Sequence, residues 1–89
     1  MHYDLKFLPA GSVIVVSLDH GANLHLMDDS NFRRYRSGQQ ARTAFSGIPR
    51  ETPFRLSVPH AGTWHLVATM AGLRGSARIG VRVLKPSGV

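Results

Sequence analysis

No cysteine occurs among the 89 residues, which excludes disulfide frameworks, thiolate metal sites and cysteine nucleophiles. Long apolar runs are missing too. The longest is Val13-Ile14-Val15-Val16, far short of the ~20 residues a membrane-spanning helix needs. The opening Met-His-Tyr-Asp carries no basic leader, and a chain without leader, span or disulfides is expected in the cytoplasm. Acidic residues are scarce: five in all, four of them within residues 1–29, with Glu51 the single glutamate. Asp28 and Asp29 are neighbours, but adjacent carboxylates ahead of Ser30-Asn31 suit a helix start better than a shared proton. Neither a Gly-x-Ser-x-Gly elbow nor His-Glu-x-x-His is present. The expectation is a domain with no catalytic residue and no cofactor.

What is abundant is arginine. It supplies nine of the eleven cations, and the net charge is +6. The charge is split along the chain. Residues 1–29 hold four carboxylates against Lys6 alone, a net −3, whereas residues 30–89 hold ten cations against Glu51, a net +9. A planar guanidinium makes forked contacts with phosphate or carboxylate, so the surplus favours anionic partners, although a basic surface also serves solubility alone.

A chain of this length buries roughly 60–65% of its unfolded surface, enough for one core. The hydrophobic pattern has a period of two. Residues 2–8 and 12–18 are rich in β-branched and aromatic side chains, and Leu24-His25-Leu26 is a further short run. Residues 53–58, 63–70 and 77–83 alternate between apolar and polar. Turn residues recur at 9–11, 19–21, 37–38, 47–53, 59–62 and 71–72, close to the spacing of a sandwich or barrel. The exception lies near 30–37, where Ser30 caps and Gly38 ends one or two helical turns. The fold class expected is all-β: a single β-sandwich, jelly-roll-like, of about seven strands over residues 1–85, with a flexible tail at 86–89.

His2-Tyr3-Asp4-Leu5, Leu26-Met27-Asp28, Tyr35, Val58-Pro59, Trp64-His65-Leu66-Val67 and Val81-Arg82-Val83-Leu84 carry a resemblance over nearly the whole chain. The sequence resembles a small bacterial family of uncharacterised domains, a domain of unknown function found alone or joined to Toll/interleukin-receptor (TIR) type modules. That resemblance implies a compact β-sandwich and a sensing or interaction role with a signalling partner. It assigns no catalytic residue.

Five histidines invite a metal site, yet His20 and His25, and His60 and His65, stand five apart. An odd separation on a strand puts side chains on opposite faces, so no metal is expected. Gly72-Leu73-Arg74-Gly75 matches a backbone-clamping nucleic-acid loop in text only; that loop joins helices, and here a hairpin turn fits. In Phe32-Arg33-Arg34-Tyr35-Arg36, three cations interleave with two aromatics able to stack on a base or sugar; equally, the rings tuck onto the sandwich while the arginines face water. This segment (Arg33, Arg34, Tyr35, Arg36) is the secondary anion-binding candidate. The primary candidate assumes that residues 54–58, 63–70 and 76–83 form a meander, with Leu56 opposite Leu66 opposite Ile79. Its inner face is Phe54, Leu56, Val58, Trp64, Leu66, Ala68, Ile79, Val81 and Val83. Its outer face gathers Arg55, Ser57, His65, Arg78 and Arg82 into a positive surface free of carboxylates. The functional expectation is a non-enzymatic module for a nucleotide, nucleic acid or acidic saccharide. The alternatives are a protein–protein or homo-oligomeric adaptor and, third, a small hydrolase.

Overall fold

The computed structural model describes residues 1–19, 21–69 and 78–86. β-branched and aromatic runs form the strands, in the order β1 (His2–Leu8), β2 (Val13–Leu18), β3 (Asn23–Asp28), α1 (Asp29–Arg36), β4 (Phe45–Gly47), β5 (Phe54–Ser57), β6 (Gly62–Thr69) and β7 (Ile79–Leu84). They build an antiparallel four-stranded sheet, β1-β6-β3-β4, and an antiparallel three-stranded sheet, β5-β2-β7. The fold is the expected all-β sandwich. Its pairing is nested: β1 with β6, β2 with β5 and β3 with β4. The chain thus folds back on itself about α1 and rolls up, as a jelly roll does, and β7 adds to the free edge of β2.

The inner faces meet as a core of Ile14, Val16, Leu24, Leu26, Leu56, Val58, Trp64, Leu66 and Ala68, with Phe54, Ile79, Val81 and Val83 packed against it. Every inward assignment on the last three strands therefore holds. The meander does not. Leu56 lies opposite Ile14, Leu66 lies between Tyr3 and Leu26, and Ile79 faces Leu18. The connections β5 to β6 and β6 to β7 cross between sheets instead of turning back within one. Strand β4, only three residues long, has no alternation to announce it.

Helix α1 starts two residues earlier than expected. Its N-cap is Asp28, whose carboxylate accepts from the Asn31 backbone N–H at 2.9 Å, and not Ser30. Gly38, at φ +78, does end it. The helix lies on the outer face of the four-stranded sheet, where Phe32 packs with Met27 and Val67 in a second small cluster. In edge strand β1 the register shifts between Asp4 and Phe7. There Lys6 takes φ 62 and its N–H donates to Asp4 Oδ1 at 2.9 Å. Such a bulge interrupts the open edge to which another strand could add. The Gly72–Gly75 turn, His20 and residues 87–89 of the expected tail lie outside the described residues; Pro86 comes within 3.8 Å of where a Gly11 Cβ would stand.

Candidate functional site

The outer face of the three-stranded sheet is built from the polar phase of its strands. Val15, on the central strand β2, is opposite Arg55 on one side and Arg82 on the other. The two arginines are exposed, two strand spacings or about 9–10 Å apart along one row. Val15 points outward, between Ile14 and Val16 that point in, yet is only 3% exposed. Its cross-strand neighbours Arg55 and Arg82 have stems long enough to lie over an apolar side chain while keeping their heads in water. Ser57 lies one row along, beside Val13. Arg78 precedes β7 at the far end, past Gly80, and its backbone N–H donates to Asp19 Oδ1 at 2.6 Å. No carboxylate of the described residues comes within ion-pair distance of Arg55 or Arg82.

His65 is not part of this face. It has the outward phase on β6, as expected, but β6 belongs to the other sheet, and α1 covers it to 5% exposure. The expected five-residue cluster thus reduces to Arg55, Ser57, Arg78 and Arg82.

The secondary candidate lies on the opposite side of the sandwich and is divided. Arg33 Nε pairs with Asp29 at 3.0 Å, and Arg34 Nε donates to the Gln40 carbonyl at 2.8 Å. Arg36 sits 5.7 Å from the Phe32 ring centre. Phe32 is buried while Tyr35 stays 44% exposed, so one ring tucks under and the other does not.

Beneath α1 a hydrogen-bonded line crosses three elements. His65 Nε2 meets Asp29 Oδ1 at 2.9 Å, and His65 Nδ1 meets His2 Nε2 at 2.9 Å. Phe32 stacks on both imidazoles, with ring centres 4.2 Å from His2 and 4.1 Å from His65. The register brings them together: Asp4 is opposite His65 and His2 opposite Val67, so His2 is a diagonal neighbour of His65 on the same face. Loss of water over the ring face that stacks on Phe32, then His65, pushes the otherwise exposed His2 imidazole below its ordinary value, and Arg36 adds to this.

The family model described as a domain of unknown function (DUF1883) matches residues 1–87. The chain belongs to that family. No curated protein and no solved structure matches it.

The DUF1883 domain has another concavity that its sequence did not announce. Between edge strands β4 and β5 lies a groove of about 530 Å³, lined by Phe45, Ile48, Pro53 and Phe54 together with Arg50 and Arg55. Phe45 and Phe54 meet across the two sheets at 5.0 Å, and Ile48 is 51% exposed. Arg55 therefore serves both the flat arginine row and an apolar groove. No signal in the sequence could have placed β4 beside β5, because alternation gives a side chain's phase and not its partner. Among the described residues no three titratable side chains are placed to share a metal ion, and no helix is long and apolar enough to cross a membrane.

Proposed function

We propose that this domain is a non-enzymatic binding module for an anionic ligand: a nucleotide, a nucleic acid or an acidic saccharide. The reading rests on one observation, the exposed pair Arg55 and Arg82 standing either side of Val15 without a carboxylate partner among the described residues. Unpaired arginines in one row leave forked donors free for a ligand with repeating negative charge. Like charges along one row also repel, so an anion bridging them relieves a cost. In the forms joined to TIR type modules that the sequence resembles, such a domain would report its ligand to a signalling partner in the cytoplasm.

The test is binding of heparin and of a single-stranded oligonucleotide at low salt. Changing Arg55 and Arg82 together to Gln is expected to remove most of the binding and to move stability by less than about 0.5 kcal/mol. In the unaltered protein, affinity should fall steeply between about 50 and 200 mM salt. Changing Arg33, Arg34 and Arg36 to Gln is the control. Equal losses in both variants would reduce the site to bulk charge, and full binding by the first variant would remove it.

The groove between β4 and β5 favours a second reading, an adaptor that takes an apolar partner or another copy of the chain. Self-association through Phe45, Ile48 and Phe54 would persist at high salt in a sedimentation experiment, and Ile48→Asp would abolish it.

A further inference from the structure

The line from Asp29 through His65 to His2 fixes the protons along it. An ionised carboxylate only accepts, so with both imidazoles neutral His65 carries its hydrogen on Nε2 and offers Nδ1 as an acceptor. His2 must then donate from Nε2, which leaves the lone pair of its ring on Nδ1. The geometry is held at every joint. Arg33 anchors Asp29 through the second carboxylate oxygen at 3.0 Å, and Phe32 stacks on both imidazoles. His65 is buried while His2 is exposed. Beside His2 lies a groove of about 540 Å³ that Tyr35, Arg36 and Thr69 also line. A reactive side chain oriented by a second group, itself oriented by a third, is the arrangement that activates a nucleophile.

We infer that His2 is a nucleophilic histidine that accepts a phosphoryl group at Nδ1, with His65 and Asp29 as its proton relay and Arg36 as the counter-charge. A phosphoryl group suits this groove because it arrives with its own negative oxygens, which a guanidinium binds in forked fashion. The Nδ1 lone pair forms the N–P bond as the bond from phosphorus to the leaving group breaks, and the electron pair departs with that group. The imidazolium formed at His2 loses its Nε2 proton to His65 Nδ1. The cation at His65 then gives its Nε2 proton to Asp29 Oδ1, and the partly exposed carboxyl releases it to water, leaving His65 neutral with its hydrogen on Nδ1. One phosphoryl group is taken up per chain, so the reaction is stoichiometric and independent of the arginine row.

The groups around His2 keep its lone pair available. Burial, His65 on β6, Arg36 on α1 and the chain's amino group all oppose protonation, and Asp4 on β1 alone favours it. The free imidazole is therefore retained to lower pH than in an ordinary histidine.

The protein carries its own controls in His25 and His60. His60 is exposed, and His25 spends Nδ1 on Ser46 at 2.9 Å. Incubating the intact protein with phosphoramidate at neutral pH supplies a donor whose protonated nitrogen leaves as ammonia. Mass spectrometry then locates the acid-labile phosphoryl group. The expected result is addition at His2 at least about tenfold faster than at His60, its loss in His2→Gln, and a comparable slowing at His2 but not His60 in Asp29→Asn. Asp28 still caps α1 in that variant. Addition at His2 no faster than at His60 would overturn the proposal. So would Asp29→Asn changing both histidines alike, or neither.

Discussion

Trp64 is the largest fully buried side chain among the described residues. It is 2% exposed at the centre of the core, and its indole N–H is satisfied by the His60 carbonyl at 3.1 Å. Trp64→Ala is expected to cost about 3–5 kcal/mol, a large part of what holds a small domain together. Urea denaturation should show the variant largely unfolded without denaturant. Trp64→Phe keeps most of the apolar area and should unfold at an intermediate urea concentration. The place of Trp64 was legible because it shares a phase with Leu66 and Ala68. The phase of His65 was equally legible, and its surroundings were not. Alternation says that a side chain leaves the sheet on the outer face, but not that a helix from elsewhere in the chain lies over that face. The same gap hid the contact between His65 and Asp29, 36 residues apart.

Helix α1 has eight residues, too few to persist alone in water, so its order comes from its cap and from Phe32. Asp28→Ala removes the side-chain acceptor for the Asn31 N–H and should cost about 1 kcal/mol, read as a lowered melting temperature with faster amide exchange confined to α1. Sequence preference placed the helix correctly but chose Ser30 over Asp28 as the cap, since both residue types serve and the choice depends on where β3 ends. The junction of α1 with β1 and β6 should also respond to acid. The His2 imidazole binds its proton less readily in the folded protein than at its ordinary value of 6.5, chiefly through burial. The unfolded chain therefore binds more protons, and the contribution of His2 is complete above pH 6.5 and lost as the pH falls through the lower folded value. Asp4 follows at lower pH. Its carboxylate is held below 3.8 mainly by the Lys6 backbone N–H, so its contribution is complete above that value and lost further down. Melting temperatures followed downward from neutral pH should fall in two stages, with the first absent in His2→Gln.

Over the whole molecule, charge is distributed by face. The arginine row occupies one outer surface and α1, with Arg33, Arg34 and Arg36, the other, which is why the primary and secondary anion-binding candidates are separate patches. Dialysis against a chelator should leave the melting temperature unchanged, because among the described residues no metal-ligand cluster exists whose loss would loosen the fold; a fall restored by zinc would contradict this.

The nested pairing also sets an order of assembly. Closing β3 on β4 spans only α1 and residues 37–44, whereas β1 meets β6 from the far ends of the roll, from Leu26 with Phe45 out to His2 with Val67. Entropy lost on loop closure rises with the length closed, and each inner pair shortens the loop left for the next. The roll should therefore zip from α1 outward at a rate limited by its non-local contacts. In mutational analysis of the folding transition state, Leu26→Ala should give a φ-value above about 0.5 and Leu8→Ala one below about 0.3. On this order His2 rides on the outermost of the three nested pairs, so the line it completes with His65 and Asp29 should form only after the two pairs inside it have closed.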